Sequence, residues 1–375
     1  MKLPTIEDAG DISGKYVLLR LDLNTPIADG KVSDPYRIDQ VIPTIDMLRL
    51  KKSRIIILAH TEAKDNTSLL PMHDYLNGFV KTEFAKDLFS PVTIKLVADM
   101  EDGEVLMFEN LRLNEGEKAN DPEFAKKLAA YGDLYVNDAF SVSHRKHASL
   151  VGVPALLPSY VGPQFMKEVE NLSKAFAPTH PFLFILGGAK FDTKLPLIEK
   201  YLSKADHVIV VGALANNVYK TRGYEVGTSL VSLGEFGIEA MLRNPKFVVP
   251  CDVTIKKPDG SLSLKKVNEV AIDEYIGDVG PETISKIEDL VKSASLIVWN
   301  GPLGNYEEGF FDKTEQLAQI IADSKATTIV GGGDTLASIE KLGLMDKFSF
   351  VSTAGGAMLD FLVNETLPAI DALTR

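Results

Sequence analysis

The fold of this chain is indicated most clearly by one run of residues, Phe182-Leu183-Phe184-Ile185-Leu186-Gly187-Gly188-Ala189-Lys190. Its first five residues are apolar and have the length of a buried strand. Two glycines end the strand, and a stretch with helical spacing begins after the lysine. A buried strand that leads through glycines into a helix is typical of a parallel sheet whose two faces are covered by helices.

The same alternation of strand and helix occurs along the whole chain. Predicted strands cover residues 16–21, 54–59, 105–108 and 134–136 in the first half, and 182–186, 208–211, 247–249, 296–299, 327–330 and 348–351 in the second. We therefore predict the α/β class, with two domains that each contain a parallel sheet. The length of 375 residues is sufficient for two domains of ordinary size.

A proline-bounded segment separates the two halves. The run Val153-Pro154-Ala155-Leu156-Leu157-Pro158 ends the first half, and helical spacing then extends from about residue 164 to 176. This pattern predicts an N-terminal domain over residues 1–158, a connecting helix within 159–177 and a C-terminal domain over 178–363.

The overall composition argues against several classes of function. The formal net charge is −12, and an acidic surface repels the phosphate backbone of DNA and RNA, so no nucleic-acid partner is expected. No apolar run approaches the roughly 18 residues of a membrane span, so no membrane association is expected. One cysteine, Cys251, and no apolar N-terminal stretch predict a reducing, cytoplasmic location. One cysteine and scattered histidines do not predict a zinc site.

Nearly every predicted strand is followed by polar, charged or glycine residues. In open parallel sheets, ligands bind outside the carboxyl ends of the strands, so the two halves predict two binding edges. The edge of the first half is rich in basic residues, namely Arg37, His60, Arg112 and the run Ser143-His144-Arg145-Lys146-His147. Such side chains suit a small ligand with carboxylate and phosphate groups, because charge-assisted hydrogen bonds orient the ligand as well as bind it.

The edge of the second half is rich in glycine. The run Gly331-Gly332-Gly333-Asp334-Thr335 follows a predicted strand and begins a predicted helix, so its backbone amides can form an anion-binding nest. Asp334 is placed to hold Mg²⁺ near bound phosphates. Lys190, with Lys194 one helical turn further on, offers ammonium groups to the β- and γ-phosphates of a nucleotide. The run Ser352-Thr353-Ala354-Gly355-Gly356-Ala357 offers bare amides to a phosphoryl group in transfer.

Two familiar nucleotide-binding patterns do not occur in the sequence. There is no Gly-x-x-x-x-Gly-Lys-Ser/Thr, which argues against a Walker-type site. A dinucleotide pattern Gly-x-Gly-x-x-Gly that began at Gly331 would require glycine where Leu336 stands. A dehydrogenase is therefore disfavoured.

Eight motifs, taken in order, resemble those of phosphoglycerate kinase. They are Leu18-Leu19-Arg20-Leu21-Asp22-Leu23-Asn24, Glu109-Asn110-Leu111-Arg112, Asn137-Asp138-Ala139-Phe140, His144-Arg145-Lys146-His147-Ala148-Ser149, Gly187-Gly188-Ala189-Lys190, Trp299-Asn300-Gly301-Pro302, Gly331-Gly332-Gly333-Asp334-Thr335 and Ser352-Thr353-Ala354-Gly355-Gly356. The resemblance extends over nearly the whole chain. It implies two Rossmann-like domains joined by a helical connector and a hinge, with residues from about 364 to 375 packed on the N-terminal domain. It also implies reversible phosphoryl transfer between 1,3-bisphosphoglycerate and Mg-ADP, in glycolysis or gluconeogenesis.

The resemblance further implies roles for individual residues. The positions for 3-phosphoglycerate match Asp22, Asn24, Arg37, His60, Arg112 and Arg145. The positions for ATP or ADP match Gly188, Lys190, Lys194, Gly212, Asn300, Glu307, Gly331, Gly332, Gly333, Asp334 and Thr335. The catalytic positions match Arg37, Lys190, Gly355 and Gly356. Mg²⁺ is the implied cofactor, with Asp334 beside it, and we expect a monomer, with a homodimer as the alternative.

The chain departs from the family pattern beside His60. The family usually follows this histidine with Leu-Gly-Arg-Pro, whereas Thr61-Glu62-Ala63-Lys64 follows it here. One expected substrate arginine is therefore missing, and we hypothesise that Lys64 supplies its charge without the bidentate geometry of arginine. Ala354 replaces a glycine of the family's triplet, and Val211-Gly212-Ala213-Leu214 is poor in glycine, so a relaxed nucleotide preference is expected.

Three hypotheses on function follow from these observations. The first is an active 3-phosphoglycerate kinase. The second is a non-catalytic relative that binds nucleotide or metabolite, against which the presence of Arg37, Lys190 and Asp334 argues. The third is a kinase for a different small acid, which the altered residues after His60 would permit.

Overall fold

The structure is a computed structural model that describes residues 2–62, 67–234 and 236–374. The chain divides into two compact units. The first unit comprises Met1–Glu170 together with Thr366–Arg375, and the second unit comprises Asn171–Glu365. Each unit contains a six-stranded parallel sheet with helices between its strands. The predicted fold class, α/β with two parallel-sheet domains, is confirmed.

The first unit contains one six-stranded parallel sheet and a two-stranded antiparallel one. The strands of this unit are β1 (Tyr16–Arg20), β2 (Ile27–Ala28), β3 (Lys31–Val32), β4 (Arg54–Leu58), β5 (Thr82–Ala85), β6 (Val105–Phe108), β7 (Leu134–Asn137) and β8 (Ser159–Val161). Its helices are α1 (Tyr36–Leu50), α2 (Leu70–Asn77), α3 (Pro91–Ala98), α4 (Glu115–Ala119), α5 (Pro122–Ala129) and, in part, α6 (Pro163–Ser173). The order in the sheet is β5-β6-β4-β1-β7-β8, and β2 pairs antiparallel with β3.

Apolar residues on both faces of the central strands explain why this sheet is parallel. In β4, the residues Ile55–Leu58 are all fully buried, which requires helices on both sides of the strand. On one face, Val17 and Ile57 pack in a core with Ile38 and Ile45 of α1. Burial of such side chains contributes about 1.5–3 kcal/mol each relative to exposure.

The register of the sheet brings the predicted ligand residues to one edge. The last residue of β1, Arg20, pairs with Leu58 of β4 and with Asn137 of β7. These strands are parallel, so the residues that follow them lie at the same end of the sheet. Asp22 and His60 are two such residues.

The second unit contains a parallel sheet and a small antiparallel one. Its strands are β9 (Phe182–Leu186), β10 (His207–Val210), β11 (Phe247–Val248), β12 (Asp252–Lys256), β13 (Leu262–Lys266), β14 (Tyr275–Val279), β15 (Leu296–Asn300), β16 (Thr327–Gly331) and β17 (Phe350–Ser352). Its helices are α7 (Phe191–Lys204), α8 (Ala213–Thr221), α9 (Pro281–Ser293), α10 (Asp312–Ala322), α11 (Gly333–Lys341) and α12 (Gly356–Asn364). The strand order is β11-β10-β9-β15-β16-β17 in the parallel sheet and β13-β12-β14 in the antiparallel sheet.

The C-terminal helix α13 (Pro368–Leu373) packs within the first unit. The backbone N–H of Ala369 donates to the carbonyl of Ser143 at 3.1 Å, and Ala369 lies in a small core with Leu150. The division between the units falls inside α6, so this helix contributes residues to both. The boundaries drawn from the sequence at residues 158, 177 and 363, and the hinge, remain predictions.

Candidate active site

The deepest part of the first unit's binding edge is a buried contact between Arg20 and His60. Arg20 ends β1, His60 lies two residues after β4, and both residues are fully buried. Nη2 of Arg20 lies 2.8 Å from Nδ1 of His60. A guanidinium only donates, so Nδ1 accepts and the imidazole hydrogen is on Nε2. Nε2 has no hydrogen-bond partner within the described ranges, which leaves one oriented donor for a ligand.

The charge of His60 differs from the interpretation made on the sequence. Burial, and then the positive charges of Arg20, Arg112 and Arg145, hold the pKa of His60 far below its ordinary value. The ring is therefore neutral at physiological pH. Counting His60 among the cations was wrong, because the sequence does not show how deeply this residue is buried. Its contribution to an anionic ligand is an N–H donor.

Two residues that the sequence analysis missed hold Arg20 in place. Nε of Arg20 donates to Oγ of Ser149 at 3.0 Å. Ser149 donates to Glu117 through its hydroxyl at 2.6 Å and its backbone N–H at 2.9 Å. Ser149 and Glu117 are fully buried, and buried charges are tolerated where they are paired and hydrogen-bonded. The available signal was an arginine among the leucines of Leu18-Leu19-Arg20-Leu21.

Replacing Arg20 by methionine should change both stability and the His60 ring. The carboxylate of Glu117 would stay buried but lose the positive charge of Arg20, which is linked to it through Ser149, so we expect the free energy of unfolding to fall by about 3–5 kcal/mol. The donor to Nδ1 would also be lost, so ¹⁵N NMR of labelled histidine should show His60 as a mixture of tautomers. The control is the double variant Arg20→Met/Glu117→Gln, which should recover stability but not the tautomer. An unchanged tautomer in R20M would contradict this role of Arg20.

Arg37 lies in the first turn of α1 and contacts Asp22. Its Nη1 lies 2.5 Å from Oδ2 of Asp22, and Ser141 donates to the same oxygen. The backbone N–H of Asn24 donates to the other oxygen, Oδ1, at 3.0 Å. Asp22 is therefore engaged within the protein, whereas the Arg37 side chain is 35% exposed. Asp22 positions the guanidinium, and Arg37 keeps donors for a ligand.

The two remaining predicted arginines of this edge contact one carboxylate. Glu62 forms ion pairs with Nη1 of Arg112 and, at 3.3 Å, with Nη1 of Arg145. The Arg112 side chain is only 4% exposed, and burial together with the charge of Arg145 lowers the pKa of Arg112 to about 10. Burial acts to raise the pKa of Glu62, but the two arginines outweigh it and hold the pKa below its ordinary value. The hypothesis about Lys64 concerns a residue outside the described ranges.

Three helices of the second unit begin directly after glycines. Gly212 precedes α8, Gly332 precedes α11 and Gly355 precedes α12, with φ angles of 64°, 107° and 53°. Glycine adopts these angles without strain. None of the three helices has a side-chain N-cap in the described part of the chain. At the start of α8 the N–H of Leu214 already donates to the carbonyl of Gly188 at 3.0 Å, whereas the first N–H groups of α11, aided by the helix dipole, can bind an anion.

A cavity of about 230 Å³ is lined by Gly212, the first of these three glycines. Four of the predicted nucleotide residues line it, namely Gly188, Gly212, Glu307 and Asp334. Further wall residues that the sequence analysis missed include Asn216, Leu230, Tyr275 and Asn305. Nδ2 of Asn305 donates to the hydroxyl of Tyr275 at 2.5 Å. A pocket with apolar and amide walls next to bare helix N-termini suits a ligand with a flat ring and phosphates.

The two predicted lysines have opposite environments. Lys190 is exposed and directly precedes α7. Lys194 is buried, its Nζ donates to the carbonyl of Gly187, and burial lowers its pKa to about 8, opposed by the charge of Asp334. Gly188 leaves room for this ammonium group, because a Cβ there would lie 2.8 Å from Nζ. Of the two, only Lys190 is among the predicted catalytic positions, but Lys194 is the enclosed cation.

The other predicted residues lie near the cavity without forming its wall. Asn300 is buried at the end of β15, with Nδ2 3.7 Å from Sδ of Met358. Gly356 is the first residue of α12 and is exposed. The predicted nucleotide residues outside the cavity wall are Lys190, Lys194, Asn300, Gly331, Gly332, Gly333 and Thr335.

The predicted metal residue, Asp334, is exposed in the first turn of α11. Across the described residues there is no group of three or more histidine, cysteine or acidic side chains that could hold a metal ion. Mg²⁺ commonly binds to one or two carboxylates together with substrate phosphates, and one carboxylate beside an anion-binding nest has the donor chemistry for that arrangement. The residues therefore fit Mg²⁺ that arrives with a nucleotide.

The two α/β units, with guanidinium groups at the edge of the first sheet and glycine-led helix starts at the edge of the second, have the architecture of a phosphotransferase. The profile of the family "Phosphoglycerate kinase" matches residues 6–365. A curated phosphoglycerate kinase from Leptospira biflexa is 38% identical, and the alignment covers 100% of this chain and 98% of that protein. The chain belongs to the phosphoglycerate kinase family.

Solved structures agree with this assignment. Phosphoglycerate kinase from Coxiella burnetii superposes with a TM-score of 0.85 at 36% identity, covering 100% of this chain and 99% of that one. The enzyme from Pyrococcus horikoshii gives a TM-score of 0.86 at 30% identity, covering 99% and 98%. The function is that of a glycolytic kinase with phosphoglycerate and ATP or ADP as substrates. No helix within the described residues is long and apolar enough to cross a membrane.

Proposed function

We propose that the first unit binds 3-phosphoglycerate at its basic edge and that the second unit binds Mg-ATP or Mg-ADP in the glycine-lined cavity. One observation carries the proposal. Buried guanidinium groups and an unpartnered imidazole N–H lie at the carboxyl edge of one sheet, while helices that begin at glycines follow the strands of the other sheet. The first arrangement recognises a compact acid with phosphate, and the second recognises a polyphosphate.

In the first unit, each polar residue has a separate task. Arg112 and Arg145 bind an anionic end of the acid by charge-assisted hydrogen bonds. His60 donates from Nε2, and Asn24, on the segment that follows β1, accepts from the backbone N–H of Glu62. Arg37, held by Asp22, faces the group in transfer and stabilises the charge that develops on it.

In the second unit, phosphates bind at helix starts and lysines. Gly212, Gly332 and Gly355 supply backbone N–H groups, and Gly356 follows at the start of α12. Lys194 supplies an enclosed positive charge. Lys190, Asn300, Gly331, Gly333 and Thr335 complete the set at strand ends and helix starts, and Glu307 is assigned to the ribose. Asp334 would hold Mg²⁺, which neutralises phosphate charge when bound.

This phosphoryl transfer depends more on the positioning of the two substrates than on acid–base catalysis. A carboxylate of 3-phosphoglycerate is already ionised at neutral pH, so no general base is required for its attack on the γ-phosphoryl group. Catalysis then rests on in-line placement and on stabilisation of the charge in transfer. Each ligand belongs to its own unit, so a hinge near the α6 connector is part of the proposal, with a monomer in the cytoplasm as its setting.

The metal assignment is tested with the variant Asp334→Asn. We expect the Mg²⁺ concentration that gives half-maximal turnover to rise about tenfold, because one hard anionic ligand is lost while the phosphate contacts remain. The matched control is Asp360→Asn, which removes an exposed carboxylate from α12. Equal Mg²⁺ dependence in D334N and D360N would contradict the assignment.

A panel of small acids, compared by turnover, tests whether 3-phosphoglycerate is the preferred acceptor.

A further inference from the structure

Glu62 lies where the first unit would be expected to bind an external anion. Its Oε1 contacts Arg112 and also lies 3.3 Å from Nη1 of Arg145. These two guanidinium groups are the ones to which the proposed function assigns an anionic end of the acid. A carboxylate is chemically the same kind of partner as that end, so both compete for the same donors.

The contact with Arg112 is an ion pair without a well-formed hydrogen bond. Nε, Nη1 and Nη2 of Arg112 are buried and lack hydrogen-bond partners within the described residues, although Glu62 is in contact. A buried guanidinium with unmet donors favours a ligand that can satisfy them in a bidentate manner. Glu62 therefore covers the guanidinium and offsets its charge without forming the hydrogen bonds that a bidentate anion in its place would form.

The backbone of Glu62 is fixed, whereas its side chain is accessible. Oδ1 of Asn24 accepts from the backbone N–H of Glu62 at 2.9 Å. The carbonyl of Thr61 accepts from Nδ2 of Asn110 at 3.1 Å. The Glu62 side chain is 47% exposed, so it can rotate into solvent while its backbone stays in place. Release of the carboxylate therefore requires a change of rotamer rather than a rearrangement of the chain.

We propose that Glu62 acts as an internal competitor that occupies Arg112 and Arg145 until an acid substrate displaces it. The inference rests on the proposed binding of 3-phosphoglycerate at this edge. Every acid that uses the arginine pair must overcome the same contact with Glu62. Glu62 therefore lowers the affinity of this edge for such acids and raises the acid concentration at which the site fills.

The test is the variant Glu62→Gln, which keeps the size of the side chain and removes its charge. Exposed ion pairs are weak, and this one is partly buried, so we expect KM for 3-phosphoglycerate to fall about three- to tenfold. The KM for Mg-ATP should not change, because nucleotide binds to the other unit. The control Glu83→Gln removes an exposed carboxylate from β5 of the same unit and should leave both KM values unchanged.

Binding of 3-phosphoglycerate to the free protein, measured by calorimetry, provides a readout besides turnover. E62Q should bind the acid more tightly than wild type by the same factor as the change in KM. Unchanged or weaker binding in E62Q, with a thermal melting curve like that of wild type, would overturn the inference while leaving the kinase assignment intact. If E62Q does not fold, Glu62→Asp serves instead, since its shorter side chain should also weaken the contact and lower KM. Wild-type protein that neither binds nor turns over 3-phosphoglycerate would refute the proposed function itself.

Discussion

The variant Arg37→Ala is expected to lower kcat by about a hundred- to a thousandfold with little change in the affinity for either substrate. The reason is that the guanidinium stabilises charge that develops only as the phosphoryl group is transferred, and loss of one such donor typically costs this much. Asp22 holds Arg37 at 2.5 Å, so the group is already oriented before substrate binds. Steady-state kinetics in both substrates measures the effect.

Two controls separate the position of Arg37 from its charge. Arg49→Ala removes an arginine from the other end of the same helix, where it pairs with Asp46, and should leave kcat unchanged. Arg37→Lys keeps the charge but loses the planar fork, so we expect an intermediate kcat. A proportional rise in KM with unchanged kcat in R37A would mean that Arg37 binds substrate without stabilising the transfer.

The variant Lys194→Met is expected to lower kcat/KM for Mg-ATP by about ten- to a hundredfold. Lys194 is buried, so its ammonium group meets phosphate with little screening by water, and hydrogen bonds to charged groups are worth about 1.5–3 kcal/mol. Lys190→Met is the matched control for the loss of one ammonium group, because Lys190 is exposed. We expect a smaller loss for it. Equal losses in K194M and K190M would contradict the role given to the buried position.

The lowered pKa of Lys194 also predicts a pH dependence. In the folded free protein the group loses its proton as pH rises through about 8, whereas in the unfolded chain it stays protonated up to about 10.5. The contribution of Lys194 to stability is therefore fully present above about pH 10.5 and is lost as pH falls through about 8. Phosphate favours the protonated form, so nucleotide binding near pH 8.5 should take up protons and weaken as pH rises. Calorimetry in buffers of different ionisation enthalpy measures this uptake, and K194M should abolish it.

Most of the parallel strands were predictable because they are short apolar runs, whereas the edge strands β5 and β8 were missed. Ile55–Leu58 and Phe182–Leu186 are buried along their whole length, so no polar residue interrupts the signal. The strands that the sequence analysis missed lack such an uninterrupted apolar run. In β5, Glu83 is exposed in the middle of the strand, and in β13 exposed and half-buried residues alternate. The strands β12 to β14 form an antiparallel sheet, which strand–helix alternation does not predict.

The binding edges were predictable because polar residues follow parallel strands, but the depth of each residue was not. Burial makes His60 neutral and makes Lys194 rather than Lys190 the enclosed cation. Arg20 was given no role because it lies within the predicted strand 16–21, among leucines, and not in the polar residues that follow the strand. Tyr275 was missed because it reaches the cavity from the antiparallel sheet, far in sequence from the glycine runs. These are properties of packing between distant segments, which spacing along the chain does not encode.

Mg²⁺-dependent formation of 1,3-bisphosphoglycerate from ATP and 3-phosphoglycerate by the wild-type protein is the most direct test of the proposed kinase activity. The product is reduced by glyceraldehyde-phosphate dehydrogenase, and the oxidation of NADH is followed. We predict robust turnover in the wild type that is lost in R37A and requires Mg²⁺. No turnover with 3-phosphoglycerate by protein that binds Mg-ATP would contradict the account.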